Sequence, residues 1–291
     1  MNELLNILQK NKILISDGAT GTNLQQRGLE RGTPPEVWVL EKPEEIINLN
    51  KDFIKAGSNI LLTCTFGASP IRLAQNNLEG KTSEINQKAV LLTKKSTEGT
   101  QVLIAGSMGP LGHMLKPYGD LEIETAKDNY KEQAIALDQA GIDFFLVETQ
   151  FDLNEVKVAL QAIQQVSKRP IVCSFSYDRG IRTMMGVKPN QTATELADFG
   201  LTAIGINCGK SLDDNLNSLI ELKQSTQLPI WFKPNAGLPK LDDSGKLIYE
   251  ITPETMGNHV HEWINAGANI IGGCCGTSPA HLKSIADAIK K

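Results

Sequence analysis

Eight short runs of apolar, β-favouring residues recur along this 291-residue chain, each followed by a stretch patterned for a helix. They cover 13–17, 59–65, 102–107, 143–148, 170–176, 203–208, 229–234 and 269–273. Their interiors are nearly continuous hydrophobics, as in Ile60-Leu61-Leu62 and Phe144-Phe145-Leu146-Val147. A strand reads that way when both faces are covered, as in a parallel sheet flanked by helices. Between the runs lie amphipathic segments such as 129–140, with Ala134, Leu137 and Ala140 at helical spacing. Ala56-Gly57, Ala140-Gly141 and Ala266-Gly267 suit helix C-termini feeding the next strand. Eight alternating units predict a single (β/α)8 TIM barrel over 1–291, with a doubly wound open sheet as the other arrangement of the same units.

The charge balance narrows the function classes. With 33 acidic and 29 basic residues the net charge is −4, and no basic face is indicated for nucleic acid or an anionic membrane. No apolar run approaches the roughly 20 residues that span a bilayer. Met1 to Asn6 show no basic segment followed by an apolar one, so no signal peptide is read. Five cysteines, an odd number with two adjacent, suit a reducing cytoplasm better than a disulfide framework.

Those adjacent cysteines carry the chemistry. Cys274 and Cys275 stand in Gly272-Gly273-Cys274-Cys275-Gly276-Thr277, where the glycines permit a turn sharp enough to aim two sulfurs at one ion. Cys208 ends the sixth run and the pair ends the eighth, so a barrel brings all three to the mouth at the strand C-termini. Three thiolates leave a zinc ion one open position, which marks a catalytic rather than a structural site. The bland alternative is a set of small buried hydrophobes, and that reading is preferred for Cys64 and Cys173, expected inside strands two and five. His259, His261 and His281 fall on helices away from the mouth, and His113 on a loop.

Asp17-Gly18-Ala19-Thr20-Gly21-Thr22 follows the first strand and exposes backbone N–H groups suited to a carboxylate, or is simply a tight turn. Glu148 ends a strongly apolar strand, where an acid needs a cation. Glu148 and Asp17 together suit a ligand ammonium, unless Glu148 is in an internal ion pair. Three cysteinates cancel the charge of Zn2+ and make it a poor activator of water. Such an ion still binds a fourth thiol and strips its proton, whereas a free thiol near pKa 8.5 is only a few per cent thiolate at neutral pH. Alkyl transfer to sulfur is the reaction this predicts, and zinc-dependent hydrolysis is disfavoured.

With Leu61-Leu62-Thr63-Cys64-Thr65-Phe66-Gly67, Gly109-Pro110, Val147-Glu148-Thr149, Ile206-Asn207-Cys208 and Pro234-Asn235-Ala236-Gly237, these motifs resemble the homocysteine S-methyltransferase family. The likeness is closest to the homocysteine-binding module of cobalamin-dependent methionine synthase and covers essentially the whole chain. It implies zinc on Cys208, Cys274 and Cys275. It also implies a homocysteine carboxylate on backbone amides near Ala19 and Thr20, its ammonium on Glu148 with Asp17 nearby, and Asn235 able to approach the metal. The chain departs from the family at Cys64, where Asn is common. Folate, corrinoid and activation modules do not occur in these residues, so the expected donor is methylcobalamin on a separate corrinoid protein. S-methylmethionine, S-adenosylmethionine or betaine are the other donors, and a non-catalytic thiol-binding subunit is the other class of function.

Overall fold

A parallel sheet curls until its two ends meet, in a computed structural model that describes residues 3–8, 10, 13–242 and 247–290. The two ends of the expected 1–291 span lie outside the described residues. The strands are β1 (Leu14–Ile15), β2 (Ile60–Leu62), β3 (Leu103–Met108), β4 (Phe144–Gln150), β5 (Ile171–Phe175), β6 (Ala203–Cys208), β7 (Ile230–Pro234), β8 (Lys240–Leu241), β9 (Leu247–Ile248) and β10 (Ala268–Ile271). The parallel sheet runs β1-β10-β7-β6-β5-β4-β3-β2. Its ends are joined by a parallel bridge between Ser16 and Ile60 and by the Asn59 backbone N–H donating to Ile15 O at 2.6 Å. The barrel closes there. The chain is therefore not the doubly wound open sheet. β8 and β9 form a separate antiparallel hairpin in the β7–β10 connection.

Alternation along each strand divides the core in two. Leu14, Ile60, Leu62, Leu103, Ala105, Phe144, Leu146, Val172, Ala203, Trp231 and Ile270 form one cluster inside the barrel, with Leu4 and Leu8 of the first helix packed against it. Their neighbours, such as Leu61, Ile104, Phe145, Val147, Ile204 and Phe232, belong to the layer between strands and helices. Side chains two apart on a strand share a face, so this division follows directly from the pleat. The interior is tight: a Cβ on Gly205 would lie 2.0 Å from Trp231 O, and Trp231 meets Phe144 edge-on at 6.2 Å between centroids. Only glycine lets the Trp231 backbone lie that close.

The covering helices start and stop where side chains satisfy their ends. Asp152, Ser211 and Thr252 each accept a backbone N–H from the first helical turn. Gly57 and Gly141 end their helices in the left-handed conformation that glycine adopts without strain. The expected segment 129–140 lies within a longer helix, Ile123–Ala140. None of the described helices is long and apolar enough to cross a membrane.

Candidate metal centre and its cavity

Two steps beyond the apolar inner layer, the same inward faces turn polar. The residue after Leu62 in that alternation is Cys64, after Ala105 it is Ser107, after Leu146 Glu148, and after Trp231 Lys233. All four line a cavity of about 570 Å3 at the C-terminal mouth. Cys208, Cys274 and Cys275 line it too.

The three cysteines converge as the sequence predicts, their sulfurs lying within 4.8 Å of one another and Cys208 Sγ 3.0 Å from Cys274 Sγ. Cys208 reaches inward because β6 ends in a left-handed residue, φ +62°. That conformation costs a non-glycine residue on the order of 1–3 kcal/mol. Asn215 Nδ2 holds it by donating to Cys208 O at 2.7 Å, and Asn235 N adds a 3.3 Å bond to the same carbonyl. On the other side Cys274 N donates to Pro234 O at 2.9 Å, while Thr277 Oγ1 donates to Cys274 O at 2.7 Å. Gly276, at φ +81°, completes the turn beneath the Tyr249 ring, which leaves no room for a Cβ. Burial, together with the cysteine charges, pushes Tyr249 up to about 12.

Without a cation these thiols oppose one another. Hydrogen bonds from Cys208 and Cys274 pull Cys275 well below the ordinary thiol range. Its partners are held protonated: the contact with Cys274 heads the causes that push Cys208 well up. For Cys274, the Cys208 contact lowers the value, but the Cys275 contact and burial outweigh it, leaving it at about 12. A divalent ion removes that conflict, because coordination takes the thiol protons. Zinc–sulfur bonds of ~2.3 Å in a tetrahedron set sulfurs ~3.8 Å apart, so the Cys208–Cys274 contact has to open by less than about 1 Å. The donor set fits zinc. Among the described residues no histidine or carboxylate joins this group.

Asn207 orients the sulfurs, although its motif position assigned it no role. Its Nδ2 lies 3.7 Å from Cys208 Sγ and 3.8 Å from Cys274 Sγ. Its Oδ1 accepts from Thr149 N at 2.9 Å and Ser174 Oγ at 2.6 Å, and Nδ2 also donates to Thr149 Oγ1 at 2.7 Å. Asn235 donates from Nδ2 to Gly209 O at 2.8 Å. Its buried Oδ1 has no hydrogen-bond partner, which suits an oxygen held next to a cation.

The predicted substrate contacts divide. Glu148 faces the cavity and accepts from Ser107 Oγ at 2.5 Å. Burial raises it to about 7, against the opposing pull of Lys233. Asp17 does not line the cavity. Its Oδ1 pairs with Lys233 Nζ at 2.6 Å, and its Oδ2 accepts from Leu62 N at 2.7 Å. Ala19 and Thr20 do line it, but the Ala19 N–H already bonds Thr277 through both O and Oγ1 at 3.2 Å. Cys64 lies past the end of β2 rather than inside it, and opens on the cavity. Cys173 is buried within β5 as expected.

A family model for homocysteine S-methyltransferases matches residues 14–289. The chain belongs to the homocysteine S-methyltransferase family. Methionine synthase of Mycobacterium tuberculosis is 27% identical over 306 residues, spanning 99% of this chain but 25% of that protein. Methionine synthase of Mycobacterium leprae is also 27% identical, over 96% of this chain and 24% of its own. The chain thus spans about a quarter of these relatives. The metallated form of the homocysteine methyltransferase MmuM from Escherichia coli superposes with a TM-score of 0.85 at 26% identity, covering 98% of this chain and 99% of that one.

Proposed function

We propose that this member of the family is a zinc-dependent methyltransferase converting homocysteine to methionine, at work in a reducing cytoplasm. The convergence of Cys208, Cys274 and Cys275 with Glu148 in one cavity carries the reading. When bound, zinc supplies a Lewis acid that takes up the substrate thiol and lowers its pKa. Crystals of MmuM described as metallated support a metal in this family's centre.

The chain's own residues then do the positioning. Glu148 receives the ammonium, and an incoming cation favours its ionised form. Asn207, fixed by Thr149 and Ser174, keeps one N–H of Nδ2 for the pair of sulfurs of Cys208 and Cys274. The mouth faces a donor in line with the thiol sulfur. A sulfur–carbon bond forms as the donor–methyl bond breaks heterolytically, and the donor keeps that electron pair. No side-chain base is needed.

The donor we favour is methylcobalamin on a corrinoid protein docked at the mouth, in keeping with the methionine synthase likeness. A small donor is the second reading, supported by the cavity: its 570 Å3 falls among pockets for larger ligands, ~300–1,000 Å3, and exceeds what one small amino acid fills. Zinc-loaded protein with homocysteine, offered a methylated corrinoid protein, S-methylmethionine, S-adenosylmethionine and betaine in turn, is expected to form methionine with one of them. No methionine from any donor would replace the enzyme reading with that of a thiol-binding subunit.

A further inference from the structure

Thr149 is left-handed, φ +60°, inside β4. Sterics disfavour that conformation most for β-branched residues, so the surroundings have to hold it. The pairing of β4 with β5 skips there, from Val147 opposite Cys173 to Gln150 opposite Phe175. Simple alternation would turn Thr149 towards the helices once Glu148 faces inward. Instead both line the cavity. Asn207 and Cys208 on β6 repeat the device, with Cys208 as the left-handed member. One amide joins the two turns. Asn207 Oδ1 accepts from Thr149 N at 2.9 Å, and Nδ2 donates to Thr149 Oγ1 at 2.7 Å while lying 3.7 and 3.8 Å from the Cys208 and Cys274 sulfurs.

The bond from Asn207 decides what the hydroxyl can do. A hydroxyl has one proton and two lone pairs. Asn207 takes a lone pair, and among the described residues nothing accepts the proton. Neighbouring cavity hydroxyls are already spent: Ser107 donates to Glu148, Thr65 to Ser107 O and Thr63 to Ala105 O. Accepting from an amide also strengthens the Thr149 hydroxyl as a donor. We propose that Thr149 donates a hydrogen bond to the sulfur of the bound thiol, as Asn207 does for the sulfurs of Cys208 and Cys274. This rests on the homocysteine reading above and gives the reacting atom a partner. A thiolate sulfur accepts with its charge, whereas a methylated sulfur is neutral. The same hydroxyl therefore favours the substrate over the thioether product and helps methionine leave.

Thr149→Val removes the hydroxyl and keeps the branched shape and the backbone N–H, whereas Thr149→Ser keeps the hydroxyl. Calorimetric titration of the zinc-loaded proteins with homocysteine should find the valine variant about three- to tenfold weaker and the serine variant within about twofold of the wild type. Zinc affinity measured without homocysteine should change by less than about twofold in either variant. In the cobalt-substituted proteins, the sulfur-to-metal charge-transfer absorption that homocysteine adds should lie at lower energy in the valine variant, because a hydrogen bond draws charge from the sulfur. An unchanged homocysteine affinity, a serine variant as weak as the valine one, or an unshifted absorption would overturn the proposal. So would a matching loss of zinc affinity, which would confine the hydroxyl to steadying Asn207. A wild type that takes up no homocysteine would bring down the homocysteine reading, and the role of Thr149 with it. If Thr149→Val does not fold, a structure of the unmodified protein with zinc and homocysteine decides. A ligand sulfur within hydrogen-bond distance of Thr149 Oγ1 supports the assignment, and one beyond its reach refutes it.

Discussion

Glu148→Gln should change the slope, and not only the height, of homocysteine binding against pH. In the free protein burial holds Glu148 at about 7. The ammonium needs the carboxylate, so below that value binding first has to ionise it. About one molecule in ten is ionised at pH 6 and about nine in ten at pH 8, and apparent affinity scales with that fraction. Glu148 thus contributes about tenfold per pH unit below 7 and nothing above. Uptake of the thiol as thiolate releases a second proton and adds another tenfold per unit throughout the range below about pH 8.5. Plotted as log Kd against pH, the wild type should fall with slope −2 below 7 and −1 above it. The variant should keep slope −1 on both sides. Above pH 7 it should bind about ten- to a hundredfold more weakly, the worth of a charge-assisted hydrogen bond of ~1.5–3 kcal/mol. At pH 6 that gap should narrow by about tenfold. Titration calorimetry in buffers from pH 5.5 to 8.5 reads both slopes. A wild-type line without a break, or a break retained in the variant, would remove Glu148 from the ammonium.

Other outcomes follow from the same geometry. Cys208→Ala, Cys274→Ala and Cys275→Ala should each lose zinc, by atomic absorption, together with turnover; a variant keeping full zinc and full rate would not have lost a ligand. Asn207→Ala strands the half-buried Thr149 N–H and the buried Ser174 hydroxyl. It should cost about 1–3 kcal/mol in urea unfolding and about ten- to a hundredfold in zinc affinity, and unchanged values for both would deny it the orienting role. Glu148 also couples stability to pH. Its carboxyl ionises near 4.5 unfolded and near 7 folded, so the native state holds the extra proton between those values. That contribution is complete below pH 4.5 and declines as pH rises to 7, by about 3 kcal/mol in all. Glu148→Gln should remove this decline from the wild-type profile, and a profile that keeps it points to another group.

The barrel was legible because its strands are buried on both faces, which writes continuous apolar runs such as Phe144-Phe145-Leu146-Val147 into the chain. Their ends were less so. The first run suggested 13–17 and the strand is Leu14–Ile15, since Ser16 forms only an isolated bridge where the cylinder closes. Cys64 was expected inside a strand because the second β-favouring run extends over 59–65; pairing stops at Leu62 and leaves the thiol at the mouth. The β8–β9 hairpin gave no signal, its strands being two residues long and outside the apolar core. The cysteine trio was legible from strand ends alone. Lys233 was not picked out, although it stands two residues from Trp231 within an apolar strand, as Glu148 stands two from Leu146. The period of two marks both, and a charge that breaks such a run was the available sign. Asp17 was expected to face the ligand because its buried counter-ion, Lys233, lies 216 residues away and leaves no local sign in the chain.

That period of two also makes the molecule separable along its axis. Below one plane the inward residues, Leu146 and Trp231 among them, do nothing but fill volume; one step higher on the same strands, Glu148 and Lys233 meet whatever enters. Substrate preference can therefore drift through single exchanges in the upper tier while the ballast underneath stays fixed. The reverse does not hold: enlarging Gly205 by one methyl group would displace the Trp231 backbone and, with it, the strand that carries Lys233.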